Sequence, residues 1–226
     1  MPIVRDLDQD FFKKWSPRMA YVLGYFAADG SMLKNSRGGH FIEFTSTDRI
    51  LITMLKQSIG STHRIQKRER GGNCKTAYRL QIGSKHWFKD LSGLGFTQAK
   101  SRTLSFPEVP IQQLTHFIRG YFDGDGCVYF NKLQYADRVK KRWILLTLFT
   151  SGSRSFLTSL WDILKQKGIQ GGSLKKKTRG YELVFSHRDS LALYRFIYHT
   201  APISDLFLPR KRQKLERAIR VLRIDK

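Results

Sequence analysis

Cysteine, acid and long apolar runs are all scarce in this chain of 226 residues. Cys74 and Cys127 are its two cysteines, too few for a disulfide framework. No Cys/His cluster has the spacing of zinc ligands. No apolar run approaches the length that spans a membrane. Residues 1–15 contain acids and lack the apolar core of a signal peptide, so a soluble, non-secreted, intracellular protein is expected. Asp and Glu number 18 against 41 Lys and Arg, a formal charge of +23. Such a chain repels itself in the compact state unless a polyanion neutralises it. Nucleic acid is therefore the leading partner. An anionic membrane is disfavoured, because no basic amphipathic helix stands out. Apolar residues make up 41% of the chain, enough for a packed core in one large domain or two small ones.

Two segments repeat one another. Leu23-Gly24-Tyr25-Phe26-Ala27-Ala28-Asp29-Gly30 is matched by Arg119-Gly120-Tyr121-Phe122-Asp123-Gly124-Asp125-Gly126. Each closes a helix-like stretch on an acid followed by glycine. A carboxylate is unfavourable there, because the carbonyl end of a helix already carries partial negative charge.

The elements around these segments repeat too. Ser16-Pro17 reads as an N-cap and first helical residue, with the helix stopping at Asp29-Gly30. A short strand to Asn35, a Gly38-Gly39 turn and a strand from Phe41 to Ser46 follow. Asp48 to Ile59 has helical apolar spacing. Ser61–Arg70 and Lys75–Ile82 read as a hairpin, and Lys85–Leu94 as a helix. The second copy runs from a helix opened at Pro110, through strands 127–133 and 143–151, a helix 154–167 and a hairpin 172–177/181–186. Helices 190–199 and 209–222 close it. Phe44-Thr45-Ser46 corresponds to Phe149-Thr150-Ser151, and Tyr78-Arg79-Leu80 to Tyr181-Glu182-Leu183. The expected division is 1–104 and 105–226, an α+β chain of two αββαββα halves.

Gly24 and Ala28, and Gly120 and Gly124, lie four apart and so share a helix face. A face of small residues lets another backbone approach closely. If the two helices cross on these faces, Asp29 and Asp125 become neighbours. Two carboxylates about 4 Å apart repel by about 4 kcal/mol at an effective dielectric of about 20. They must share a proton or bind cations, and in a nucleic-acid-binding chain a divalent metal is the natural solution. Carboxylate, carbonyl and phosphate oxygens suit Mg²⁺.

With these features the chain resembles the single-chain LAGLIDADG homing endonucleases, which carry two signature helices. The motif's helix, its early glycine and its terminal Asp-Gly match at both sites. The resemblance implies a pseudo-twofold α/β domain in which two antiparallel sheets form a saddle over DNA and the signature helices pair at the interface. It implies Mg²⁺ or Mn²⁺ held by Asp29 and Asp125, with the carbonyls of Ala28 and Gly124 as further ligands. It implies hydrolysis of both strands of a long duplex target across the minor groove, leaving cohesive ends. Lys100 and Lys211 fit the family's late lysine, which approaches the scissile phosphate. Asp123 matches an earlier acid of the motif, replaced by Ala27 in the first copy. At the strand-to-helix corner, where many relatives carry Gln and Lys or Arg, this chain has Ser46-Thr47 and Ser151-Gly152.

A strand buries alternate residues. In the first hairpin Ile65, Tyr78, Leu80 and Ile82 take the buried parity. The other face then carries Arg64, Gln66, Arg68, Arg70, Lys75, Arg79 and Gln81. Arg and Gln pair bidentately with guanine and adenine edges in the major groove. Ser31, Asn35, Arg37 and Glu43 join this face. The second half offers Tyr129, Asn131, Lys175, Lys177 and Glu182. Cys127 reads as a small packing residue. The expected protein is a monomeric, metal-dependent, site-specific DNA endonuclease of the cytoplasm or nucleoid, or of an organelle matrix if organelle-encoded. An intron RNA maturase, or a non-cleaving DNA-binding regulator of the same fold, is the alternative.

Overall fold

The computed structural model describes residues 5–69, 71–72, 75–134, 140–199 and 206–222. It divides into two compact units. The first comprises Met1–Lys100 and Pro107–Gly124, the second Ser101–Phe106 and Asp125–Lys226.

In the first unit, Ser16 caps helix α1 (Pro17–Asp29), its Oγ accepting from the Met19 N–H at 3.1 Å. Pro17 suits the first turn, where its missing N–H goes unused. Gly30 ends the helix, its N–H donating to the Phe26 carbonyl. Strands β1 (Gly30–Lys34) and β2 (His40–Ser46) follow, then helix α2 (Arg49–Ser58), capped by Asp48. Strands β3 (Ile65–Arg68) and β4 (Ala77–Gly83) precede helix α3 (Lys85–Gly93), capped by Ser84. The antiparallel sheet has the order β1-β2-β4-β3. Helix α4 (Leu114–Asp125) belongs to this unit as far as Gly124.

Two elements differ from expectation here. β3 begins at Ile65 rather than Ser61. Thr62 is bonded instead to the amino-terminal segment, its N–H to the Asp6 carbonyl and its Oγ1 to the Asp6 N–H. Ser61 Oγ also accepts from the His63 N–H at 3.1 Å. These bonds use the groups that a longer strand would offer. The helix expected from Pro110 starts as a 3₁₀ turn, Ile111–Gln113, before α4.

In the second unit, β5 (Gly126–Leu133), β6 (Arg142–Ser151), helix α5 (Arg154–Gln166), β7 (Ser173–Lys177), β8 (Gly180–Ser186) and helix α6 (His187–Tyr194) repeat the order. Its sheet has the order β5-β6-β8-β7. The helix expected over 190–199 divides into α6 and a π-helical turn, Arg195–His199. Helix α7 (Pro209–Leu222) follows. In each sheet one parity is buried: Ile42, Phe44, Leu80 and Ile82 in the first, Leu145, Phe149, Leu183 and Phe185 in the second. Among the described residues no helix is long and apolar enough to cross a membrane.

Candidate functional site

The acidic helix ends rest on backbone contact between α1 and α4. A Cβ built on Gly24 would overlap the Phe117 carbonyl oxygen, and one on Gly120 would overlap the Tyr21 carbonyl oxygen. The contact is reciprocal, so neither glycine tolerates a side chain. One turn later a Cβ on Gly124 would lie 2.5 Å from the Ala28 Cβ and 3.5 Å from Asp29 Oδ2. The four small residues thus bring the end of α1 against Gly124, the residue before Asp125. Asp29 is exposed and Asp125 half-exposed. A bond that the sequence did not suggest spans the same helices: Tyr21 Oη donates to Asp123 Oδ2 at 2.8 Å, both residues being buried.

Both candidate lysines are buried, each 5% exposed. Lys100 Nζ donates to the Ala27 carbonyl at 3.0 Å, in the last turn of α1. Lys211, on α7, donates to the Gly126 carbonyl at 2.5 Å. A cation at the carbonyl end of a helix offsets the partial negative charge that Asp29 makes worse.

The strand-to-helix corners are built from hydroxyls. Ser46 Oγ accepts from the Asp48 N–H at 3.0 Å, and Ser151 Oγ accepts from the Ser153 N–H at 3.1 Å. Thr150 Oγ1 donates to the Asp125 carbonyl at 2.8 Å, and Tyr25 Oη donates to the Thr45 carbonyl at 2.7 Å. A Cβ on Gly152 would overlap the Ser101 carbonyl oxygen, so a Gln or Lys does not fit that corner as built.

On the first sheet, cross-strand register sets two polar rows on the open face. Ser31, Glu43 and Gln81 are partners across β1, β2 and β4, and Thr45, Arg79 and Gln66 across β2, β4 and β3. Arg79 Nη1 donates to Glu43 Oε1 at 2.7 Å, and Gln81 Nε2 to the same oxygen at 2.5 Å. Arg79 also donates to Gln66 Oε1 through Nε at 3.0 Å and through Nη2. These side chains are thus held by one another. Arg68 lies on the same face, opposite Ala77. Asn35 and Arg37 lie beyond β1, in the turn, where Asn35 Oδ1 accepts from the N–H groups of Arg37 and Gly39. Arg64 precedes β3 and Lys75 precedes β4, because both strands are shorter than expected at their starts. Arg70 and Cys74 lie outside the described residues.

On the second sheet Tyr129, Asn131, Lys175, Lys177 and Glu182 share the open face by register. Lys177 Nζ lies 3.0 Å from Glu182 Oε2. Cys127 is exposed on this face rather than packed. Sequence parity missed its other occupants, Ile144, Leu146, Leu148 and Val184, which are half-exposed.

Among the described residues no group of three His, Cys, Asp or Glu side chains could hold a metal ion. The helix ends supply single carboxylates and terminal carbonyls, all hard oxygen donors. That donor set fits Mg²⁺, which keeps several waters and takes one or two carboxylates together with phosphate oxygens.

Comparison with known proteins agrees with this architecture. Residues 16–91 and 112–197 each match a LAGLIDADG-like domain. The meganuclease I-SmaMI bound to uncleaveable DNA is similar at TM-score 0.62 and 15% identity, over 93% of this chain and 92% of that one. I-SmaMI bound to an uncleaved DNA target in the presence of calcium ions gives 0.54 and 15%, over 81% and 85%. The homing endonuclease I-WcaI bound to its DNA recognition sequence gives 0.58 and 16%, over 92% and 91%. No curated protein sequence matches the chain significantly. The shared fold and the two matched copies lead to one conclusion: the chain belongs to the LAGLIDADG family, with two copies of its domain in a single polypeptide.

Proposed function

We propose that this protein is a monomeric, sequence-specific DNA endonuclease that hydrolyses both strands of a long duplex target with Mg²⁺ or Mn²⁺. The observation that carries the reading is the reciprocal glycine contact of α1 with α4, two helices that each end on an aspartate followed by glycine. Asp29 with the Ala28 carbonyl, and Asp125 with the Gly124 carbonyl, are the metal-holding groups of this reading. When bound, the ion supplies Lewis-acid stabilisation of phosphate oxygens and an ionised water. The residues hold the donors in place: Thr150 fixes the Asp125 carbonyl, and Lys100 fixes the last turn of α1. Lys100 and Lys211 act in this reading through the Ala27 and Gly126 carbonyls, next to the metal-holding residues, and through their charge near the cut phosphates. The DNA-bound state of I-WcaI and the calcium-containing complex of I-SmaMI support the partner and the metal class. The two polar rows of the first sheet, with Arg64, Arg68, Lys75 and Arg37 at their margins, are the base- and phosphate-reading surface of one half of the target. The sequence copies 1–104 and 105–226 are, in this reading, the two halves of a duplicated gene product.

The test is incubation of a randomised duplex library with Mg²⁺, followed by sequencing of the ends, with Asp29→Asn and Asp125→Asn as controls. One long site cut with cohesive ends by the unaltered protein alone is expected. Binding without cutting in Mg²⁺ and Mn²⁺ alike would overturn the endonuclease reading. Tight binding to intron RNA would then favour a maturase.

A further inference from the structure

The two open sheet faces are equivalent in register and differ in chemistry at one cross-strand row. Aligning Phe44-Thr45-Ser46 with Phe149-Thr150-Ser151 superposes the rows. The row Ser31–Glu43–Gln81 of the first sheet becomes Cys127–Leu148–Val184 in the second. The row Thr45–Arg79–Gln66 becomes Thr150–Glu182–Lys175. Where the first sheet has base-edge donors and acceptors, the second has an apolar row, continued along β6 by Leu146 and Ile144.

We propose that the second sheet recognises its half of the DNA target through thymine methyl groups, so that this half-site is thymine-rich while the other is read by hydrogen bonds. The proposal rests on the DNA reading above and names what that surface selects. The distinguishing group that an apolar side chain selects in the major groove is the C5 methyl of thymine, the distinguishing groups of the other bases being donors and acceptors. Side chains on neighbouring strands stand about 4.8 Å apart, and successive bases about 3.4 Å. A row across three strands thus covers about three base steps. Cations flank the apolar row on the same face: Arg142 at the start of β6, and Lys175 and Lys177 on edge strand β7, all exposed. That border matches a phosphate backbone on either side of a groove.

The experiment uses the full chain in metal-free buffer. Binding sites are first selected from a randomised duplex library. The selected duplex is then remade with deoxyuridine replacing thymidine in one half or the other, which removes the methyl and leaves every hydrogen-bonding group. Deoxyuridine in one half should weaken binding about fourfold per methyl removed, and in the other half change it by less than about twofold. Leu148→Gln should abolish the deoxyuridine sensitivity of the responsive half. A selected site whose affinity is unchanged by deoxyuridine in both halves would overturn this proposal and leave the DNA reading standing. Failure to select any site would remove the DNA reading, and this proposal with it.

Discussion

The Tyr21 hydroxyl donates to Asp123 Oδ2 at 2.8 Å, joining α1 to α4 where both residues are buried. A buried carboxylate is costly unless hydrogen-bonded. Asp123 is the motif acid that the first copy replaces with Ala27. Its bond to α1 gives it a structural task. Tyr21→Phe should destabilise the protein by about 1.5–3 kcal/mol, the range for a hydrogen bond to a charged group. Urea unfolding monitored by tryptophan fluorescence measures this. A variant as stable as the parent would show that the bond carries no net stability.

The glycine contact predicts a sharper effect. Gly120→Ala places a methyl on the Tyr21 carbonyl, with backbone on both sides and no flexible side chain to yield. Overpacking of this kind costs about 1–3 kcal/mol or more. Gly24→Ala, against the Phe117 carbonyl, should cost a similar amount. Gly93→Ala, where no atom lies within 4 Å, is the matched control. Melting temperatures should fall for the first two and hold for the third.

Glu43 and Arg79 form an ion pair with side chains only 10% and 14% exposed. Glu43 also accepts from Gln81, and Arg79 donates to Gln66. Residues in one network couple by about 0.5–3 kcal/mol. A double-mutant cycle of Glu43→Ala and Arg79→Ala, read as folding stability, should return a coupling within that range. Strict additivity would mean that the network does not hold Arg79 in solution.

The ring of His63 is 8% exposed and accepts or donates at Ser61 Oγ over 2.9 Å. Burial holds its pKa below the ordinary value, and the charges of Arg5 and Lys56 push the same way. The folded state therefore resists protonation. Its stability is fully present above the unfolded pKa of about 6.5 and is lost as pH falls through the folded value. Melting temperature should decline on acidification below about pH 6.5, and His63→Gln should flatten that decline. An unchanged pH profile in the variant would assign the acid sensitivity to other groups.

Much of the fold was legible because local signals and packing agree. Ser16 caps its helix as its sequence predicts, and Asp48, Ser84 and Ser153 likewise accept a backbone N–H where their helices begin. The hairpin partners within each sheet also follow from strands separated by short turns, whereas the central pairings β2–β4 and β6–β8, made across a helix, do not. Less was legible where tertiary bonds compete with local pattern. Residues 61–64 have strand-like character, but Thr62 is drawn to Asp6 and Ser61 to His63. The face of β6 was unreadable for another reason. Trp143-Ile144-Leu145-Leu146-Thr147-Leu148-Phe149 is nearly continuous in apolar residues, and a continuous run carries no parity.

By itself the sequence determined the duplication, the two Asp-Gly helix ends, the Ser16 cap and the strongly basic charge, since each depends on residue type and short-range spacing. Only the tertiary structure decided that Gly24 and Gly120 meet each other's helix backbone, that Lys100 and Lys211 turn inward to carbonyls, and that Arg79 is held by Glu43 and Gln66. It also decided that the second sheet presents Leu148 and Val184 where the first presents Glu43 and Gln81. Those outcomes depend on contacts between residues far apart in the chain. Such contacts are set by register and close packing, which no local pattern encodes.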